Sequence, residues 1–283
     1  MNIRRITART AVAGITTALA AGAFVGITTT AADAATGTAQ YNCTNGFTSD
    51  VLPLTLSATA DLESFPPFAT GFSVPEDIVG VDLVIGLSPE AVAGLKANHI
   101  DSVGASSTGM NFPFGSSAAP LKGFDIAPAA LPETGGFEMG THAVNAPFAL
   151  PNPGAVALKM PAAFSLTNVI PIPLDCTVAG EQQTITTYTV TKQSATVTAP
   201  AKKVRKNKPF SIVANVVGQY KAATGKVSVK LGTKTLGTGI VKGGKATVKI
   251  AKGLKKTAKV TVVYAGDKST NGAKSAPVKI TVK

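Results

Sequence analysis

From Phe210 to Val282 apolar residues fall at every second position, a period that admits little besides β-structure. Phe210, Ile212, Ala214 and Val216 form one such set. Val227, Val229 and Leu231 form the next, followed by Val248 and Ile250, then Val260, Val262 and Tyr264, then Val278, Ile280 and Val282. Successive side chains on a strand point to opposite faces, so each set marks one buried face. Turns rich in Gly, Asn and Lys separate the sets. Several short alternating strands within about a hundred residues predict a β-sandwich. This stretch holds no cysteine, so packing alone must keep it folded.

Charge divides the chain. Between Thr36 and Gln183 there are three basic residues, Lys96, Lys122 and Lys159, against 13 acidic ones, a net charge of −10. From Thr184 to Lys283 there are 21 Lys and Arg and one acid, Asp267, a net charge of +20. The switch falls in a polar connection at 180–184, which places a domain boundary there. Three segments follow: 1–34, 35–183 and 184–283.

Residues 1–34 read as a signal peptide. Arg4, Arg5 and Arg9 supply the positive start, Ala11 to Ile27 the apolar stretch, and Ala32-Asp33-Ala34 a small-residue cleavage site. The alternative is a membrane anchor, against which stand the Thr and Gly residues that interrupt the run. After cleavage no membrane span is expected. Both cysteines, Cys43 and Cys176, lie in the exported part, near the two ends of the acidic segment. Two cysteines in an oxidising compartment allow one intramolecular bridge; two free thiols are the alternative.

The acidic segment is rich in Pro and Phe. Val51 to Ala60 alternates in part, and Val79 to Leu87 and Phe164 to Leu174 read as further strands. One helix is expected over Ser88 to Lys96, with Ser88 as N-cap, Pro89 at the first helical position and Glu90 complementing the dipole. The predicted fold class is all-β: two β-sandwich domains, the first with one short helix.

Two resemblances sharpen this. Gly225-Lys-Val-Ser-Val229, Leu236-Gly237, Gly244-Lys-Ala246 and Val262-Val-Tyr-Ala-Gly-Asp267 make residues from about 190 to 283 resemble the bacterial Ig-like repeats found on surface proteins. The resemblance implies an Ig-like second domain, with Tyr264 as a packing and corner tyrosine. Tyr41-Asn-Cys43, the Ser88–Lys96 helix and Pro173-Leu-Asp-Cys176 give the first domain a likeness to a family of secreted actinobacterial domains of unknown function, which implies no activity.

Several motifs tempt and fail. Leu131-Pro-Glu-Thr-Gly135 spells a sortase pentapeptide, but more than half the chain follows it. Covalent attachment by sortase is therefore not expected. Gly239 to Lys245 approaches a phosphate loop, but Ala246 stands where a hydroxyl is needed and a strand follows, not a helix. Asp267 to Gly272 imitates half a calcium loop, with Val278 where a bidentate Glu belongs. His99 and His142 have no Ser or Cys at a catalytic spacing, and Asp61/Glu63 and Glu76/Asp77 read as solvated surface acids.

These residues lead to an expectation of a non-catalytic, secreted protein, extracellular or held non-covalently at the cell wall, with a structural or adhesive role and no cofactor or metal. The alternative is a secreted enzyme with an unrecognised site in the first domain. With no Trp and 6% aromatic residues, sugar-stacking platforms are scarce. The +20 domain would attract polyanions, but no aromatic platform interleaves its lysines, so specific nucleic-acid recognition is not expected. If Val227, Val229 and Leu231 point inward, Lys226 and Lys230 point out, and the same phase exposes Lys259, Lys279 and Lys283. By Ig-like analogy their strands share one sheet. The expected partner of this face is an anionic cell-wall polymer or another acidic surface. The plain alternative is that the lysines serve only solubility.

Overall fold

The computed structural model describes residues 35–45, 50–62, 65–167 and 173–283. The expected leader and Glu63 lie outside the described residues. The chain builds two hydrophobic cores, one from residues between Ala39 and Val190 and one from residues between Val197 and Ile280.

The first core is enclosed by an antiparallel sheet of ten strands. From one edge these run Ala163–Leu166, Leu174–Val178, Ala35–Thr44, Leu52–Ala60, Gly80–Leu87, Phe137–Asn145, Ser117–Lys122, Asn111–Phe114, Gly154–Lys159 and Thr184–Val190. Alternation drives them: in Ala35–Thr44 every second residue from Gly37 to Cys43 is buried. The sheet curls until its last strand covers the strand Ala35–Thr44. A Cβ placed on Gly37 would lie 2.8 Å from Ile185 Cγ1, so glycine lets the two layers meet. The helix Pro89–Ala97 forms as expected; Ser88 Oγ accepts from the Ala91 N–H at 3.2 Å, and Ala91, Val92 and Leu95 are buried.

Cys43 and Cys176 face each other in register on neighbouring strands and are joined as a disulfide, with Cα atoms 4.0 Å apart. Tyr41 lies beside them, its hydroxyl donating to Pro161 O at 2.7 Å and its ring edge-on to Phe164 with centroids 4.8 Å apart.

Two expectations are corrected. Phe164 to Leu174 is not one strand: Ala163–Leu166 and Leu174–Val178 are separate strands that pair with each other. The boundary at 183/184 is also too early. Thr184–Val190 pairs with Gly154–Lys159, and its Ile185, Tyr188 and Val190 belong to the first core. The charge switch precedes the change of packing by one strand, because that strand carries no charged residue.

The second core lies between two sheets. One is Ala195–Thr198, Phe210–Gly218 and Lys245–Ile250. The other runs Lys202–Val204, Val278–Val282, Ala258–Tyr264, Lys226–Leu231 and Lys234–Ile240, its first pair parallel, with the short strand Ala273–Lys274 also on Ala258–Tyr264. Every inward set read from the alternation is buried or partly buried here.

Candidate polyanion interface

Lys226–Leu231, Ala258–Tyr264 and Val278–Val282 are neighbours in one sheet. Their inward valines and isoleucines fix the phase, and the lysines between them project outward. Lys226, Lys259, Lys279 and Lys283 are exposed and Lys230 is partly buried. Lys259 stands directly opposite Lys279. Lys230 pairs with Thr261, two residues along from Lys259, so these three lysines share one end of the outer face. Lys226 is separated from them. It pairs with Ile240 at the other end of its strand, where its carbonyl accepts from the Ala265 N–H. Lys203, which alternation did not single out, joins the same face opposite Thr281.

No acid of the second domain answers these cations. The ion pairs of the described residues join Lys96 to Glu133, Lys122 to Glu76 and Asp77, and His142 to Asp82, all in the first domain. Asp267 is held by uncharged donors. Its Oδ2 accepts from the Thr224 N–H at 2.9 Å and hydroxyl at 2.7 Å, and its Oδ1 from the Ser269 N–H at 2.8 Å. Burial works against its ionisation, but these bonds outweigh it and hold the carboxyl well below the usual carboxylate range. The expected corner tyrosine, Tyr264, is buried beside this turn with no hydrogen bond to its hydroxyl. Burial, then the Asp267 charge, pushes it up to about 12.

The other sequence candidates fall apart from one another. Glu76 and Asp77 lie in a turn, not on a strand, and together hold Lys122. His142 lies on the strand Phe137–Asn145, with Nδ1 2.7 Å from Asp82 on an exposed face. His99 follows the helix with φ 59. A shallow hollow of about 460 Å³ in the first domain is lined by Ser107, Thr108, Ser165, Thr167 and Asp175 among others, and neither histidine reaches it. Among the described residues no three His, Cys, Asp or Glu converge as metal ligands, and no helix is long and apolar enough to cross a membrane.

Comparison with known proteins bears on the second domain. No curated protein matches the chain. Among solved structures, the fibronectin(III)-like modules of Clostridium thermocellum CbhA are 15% identical, with 80% of this chain and 94% of that chain covered and a TM-score of 0.26. A chimeric titin Z1Z2-Z1Z2 tandem is 12% identical, with 77% and 94% covered and a TM-score of 0.26. Residues 196–283 match the family model of the bacterial Ig-like domain (group 3), so the second core of this chain is a bacterial Ig-like domain.

Proposed function

We propose that this is a secreted, non-catalytic protein of the cell envelope with a structural or adhesive role, whose Ig-like domain associates with anionic polymers through the outer lysines of its larger sheet. One observation carries the reading. Lys259 and Lys279 sit directly opposite each other, with Lys230 beside them and no acid partner. Like charges placed opposite on neighbouring strands destabilise a sheet. An external polyanion would relieve that repulsion. The disulfide, and the absence of a membrane-crossing helix among the described residues, are consistent with an extracellular setting.

The test uses residues 35–283, a soluble poly(glycerol phosphate), and dextran as the neutral control. The protein should bind the phosphate polymer and not dextran, and release it as salt rises and the Debye length shrinks to a few ångströms. Replacing Lys226, Lys230, Lys259 and Lys279 by Gln should weaken binding. Affinity indifferent to salt, or unchanged in that variant, defeats the proposal.

A further inference from the structure

We infer that the main contact for the polyanion is the end of the Ig-like domain remote from the first domain, where the turn 205–209 and the loop 251–257 meet; this rests on the functional reading above. The turn contributes Arg205, Lys206 and Lys208, and the loop Lys252, Lys255 and Lys256, all exposed. The two segments are locked together. Asn207 N–H donates to Leu254 O at 3.0 Å, and Lys206 N–H donates to Lys283 O at 3.1 Å. A Cβ on Gly253 would fall 2.3 Å from Lys208 O, so only glycine permits the contact. Leu254 is buried beneath them and anchors the loop in the core. Six cations thus stand on a fixed backbone. The outer face continues into them, because Lys259 is the second residue of the strand that leaves the loop and Lys279 lies opposite it.

Among the described residues no acid pairs with the cations of this end. Asp267 lies beyond the far end of Ala258–Tyr264. The first domain meets the Ig-like domain at that same far end, where Tyr220 packs edge-on against Phe72 with centroids 5.6 Å apart. The strand Phe210–Gly218 separates the turn 205–209 from that contact. Nine residues at roughly 3.3 Å each span on the order of 30 Å. That is several Debye lengths at physiological ionic strength, about 8 Å each. The junction also prevents folding back, because Thr191 is bonded to the first domain and Gln193 to the second.

The chemistry selects the class of partner. The turn and loop hold no Trp, Tyr, His or Phe, so they offer no surface for stacking sugars or bases. Five of the six cations are lysines, which act as point charges rather than as planar forks. Such a surface reads spacing of charge along a flexible chain, which fits a linear phosphodiester polymer. A second copy of this protein, offering its acidic domain, is the competing partner.

Three forms of residues 35–283 separate these outcomes by their affinity for poly(glycerol phosphate) across a salt series and by sedimentation. They are the natural sequence, a remote-end variant with Lys206, Lys255 and Lys256 replaced by Gln, and a control with Lys242, Lys245 and Lys268 replaced by Gln. The control lysines are exposed on the same domain, so both variants lose equal charge. The remote-end variant should bind roughly tenfold more weakly at physiological salt and show a flatter salt dependence, with the control within about threefold of the natural sequence. Equal losses in both variants would mean that the remote end is no preferred contact and would overturn the inference, while the functional reading is decided separately by the variant at Lys226, Lys230, Lys259 and Lys279. If the natural sequence binds no polymer, that reading itself fails. Salt-sensitive multimers abolished only in the remote-end variant, without polymer binding, would assign the surface to a second copy and also overturn the inference.

Discussion

Thr191 and Gln193 are two positions apart, yet each is bound to a different domain. The Thr191 N–H donates to Phe68 O, and its carbonyl accepts from the Thr70 N–H, both at 2.9 Å. Gln193 is fully buried in the Ig-like domain. Its Nε2 donates to Lys221 O and Thr270 Oγ1, and its Oε1 accepts from the Tyr220 and Lys221 N–H groups. Only Lys192 lies between these anchors, so the junction is a continuation of paired backbone rather than a tether.

Replacing Gln193 by Ala should therefore do two things. Four polar groups lose the partner that this buried side chain supplies, three of them part-buried and one buried, which should lower the stability of the Ig-like domain by about 1–3 kcal/mol. The spread of domain orientations should also widen, seen as a larger radius of gyration in small-angle scattering. A variant with unchanged stability and unchanged scattering would show that the side chain is not the anchor.

The disulfide closes a sequence separation of 133 residues, so its effect should be large and confined to the first core. On the chain-entropy view, the Cys43→Ala/Cys176→Ala variant loses at most about 5 kcal/mol of first-domain stability. Denaturant unfolding should then show an early first-domain transition, while the Ig-like transition stays in place. A matching shift of both transitions would mean that the cores unfold as one unit.

The Ig-like strands are legible because Val, Ile and Leu occupy nearly every inward position. The same rule misses Ala35–Thr44, whose inward residues begin with Gly37 and Ala39. Gly37 is small because Ile185 and the Met160 sulfur press against it, a contact between distant parts of the chain that no local pattern announces. The strand carrying His142 is hidden likewise, since Gly140 and Thr141 read as a loop until pairing with Gly80–Leu87 fixes them. Of the lysine face, alternation gives the side of the strand for each lysine but not the spacing, so Lys226 is grouped with residues that lie at the other end of the sheet. The cations at 205–208 and 252–256 lie in segments without periodicity, and only the fold brings them together.

Asp267 joins the segment at Thr224 to the turn at Ser269. Because its folded-state carboxyl lies below the ordinary range, its contribution to stability is present above the unfolded pKa near 3.9 and is lost as pH falls through the folded value. Asp267→Asn should thus destabilise the Ig-like domain at pH 7. The difference from the natural protein should shrink as pH drops below about 4. A gap that persists undiminished at pH 2 would mean that packing, not ionisation, accounts for the loss.

The Lys259–Lys279 pair offers a test that sets stability against binding. The two face each other on neighbouring strands at the sheet surface. If they serve only solubility, a neighbouring opposite charge would serve better, because it replaces repulsion with an exposed cross-strand pair worth a few tenths of a kcal/mol. Lys279→Glu should accordingly raise the midpoint of Ig-like unfolding slightly at low salt, and that gain should vanish at high salt. The same change should weaken association with a phosphate polymer by more than Lys279→Gln does, since it adds repulsion where contact is needed. Lys259→Glu should behave alike, and combining both substitutions should restore the like-charge penalty with its sign reversed, destabilising the sheet relative to either single change and weakening polymer binding further. Measured as a double-mutant cycle, stability should show strong coupling between the two positions, while binding should fall with each lost cation. Polymer affinity that rises together with stability in Lys279→Glu would exclude this face as a contact for polyanions.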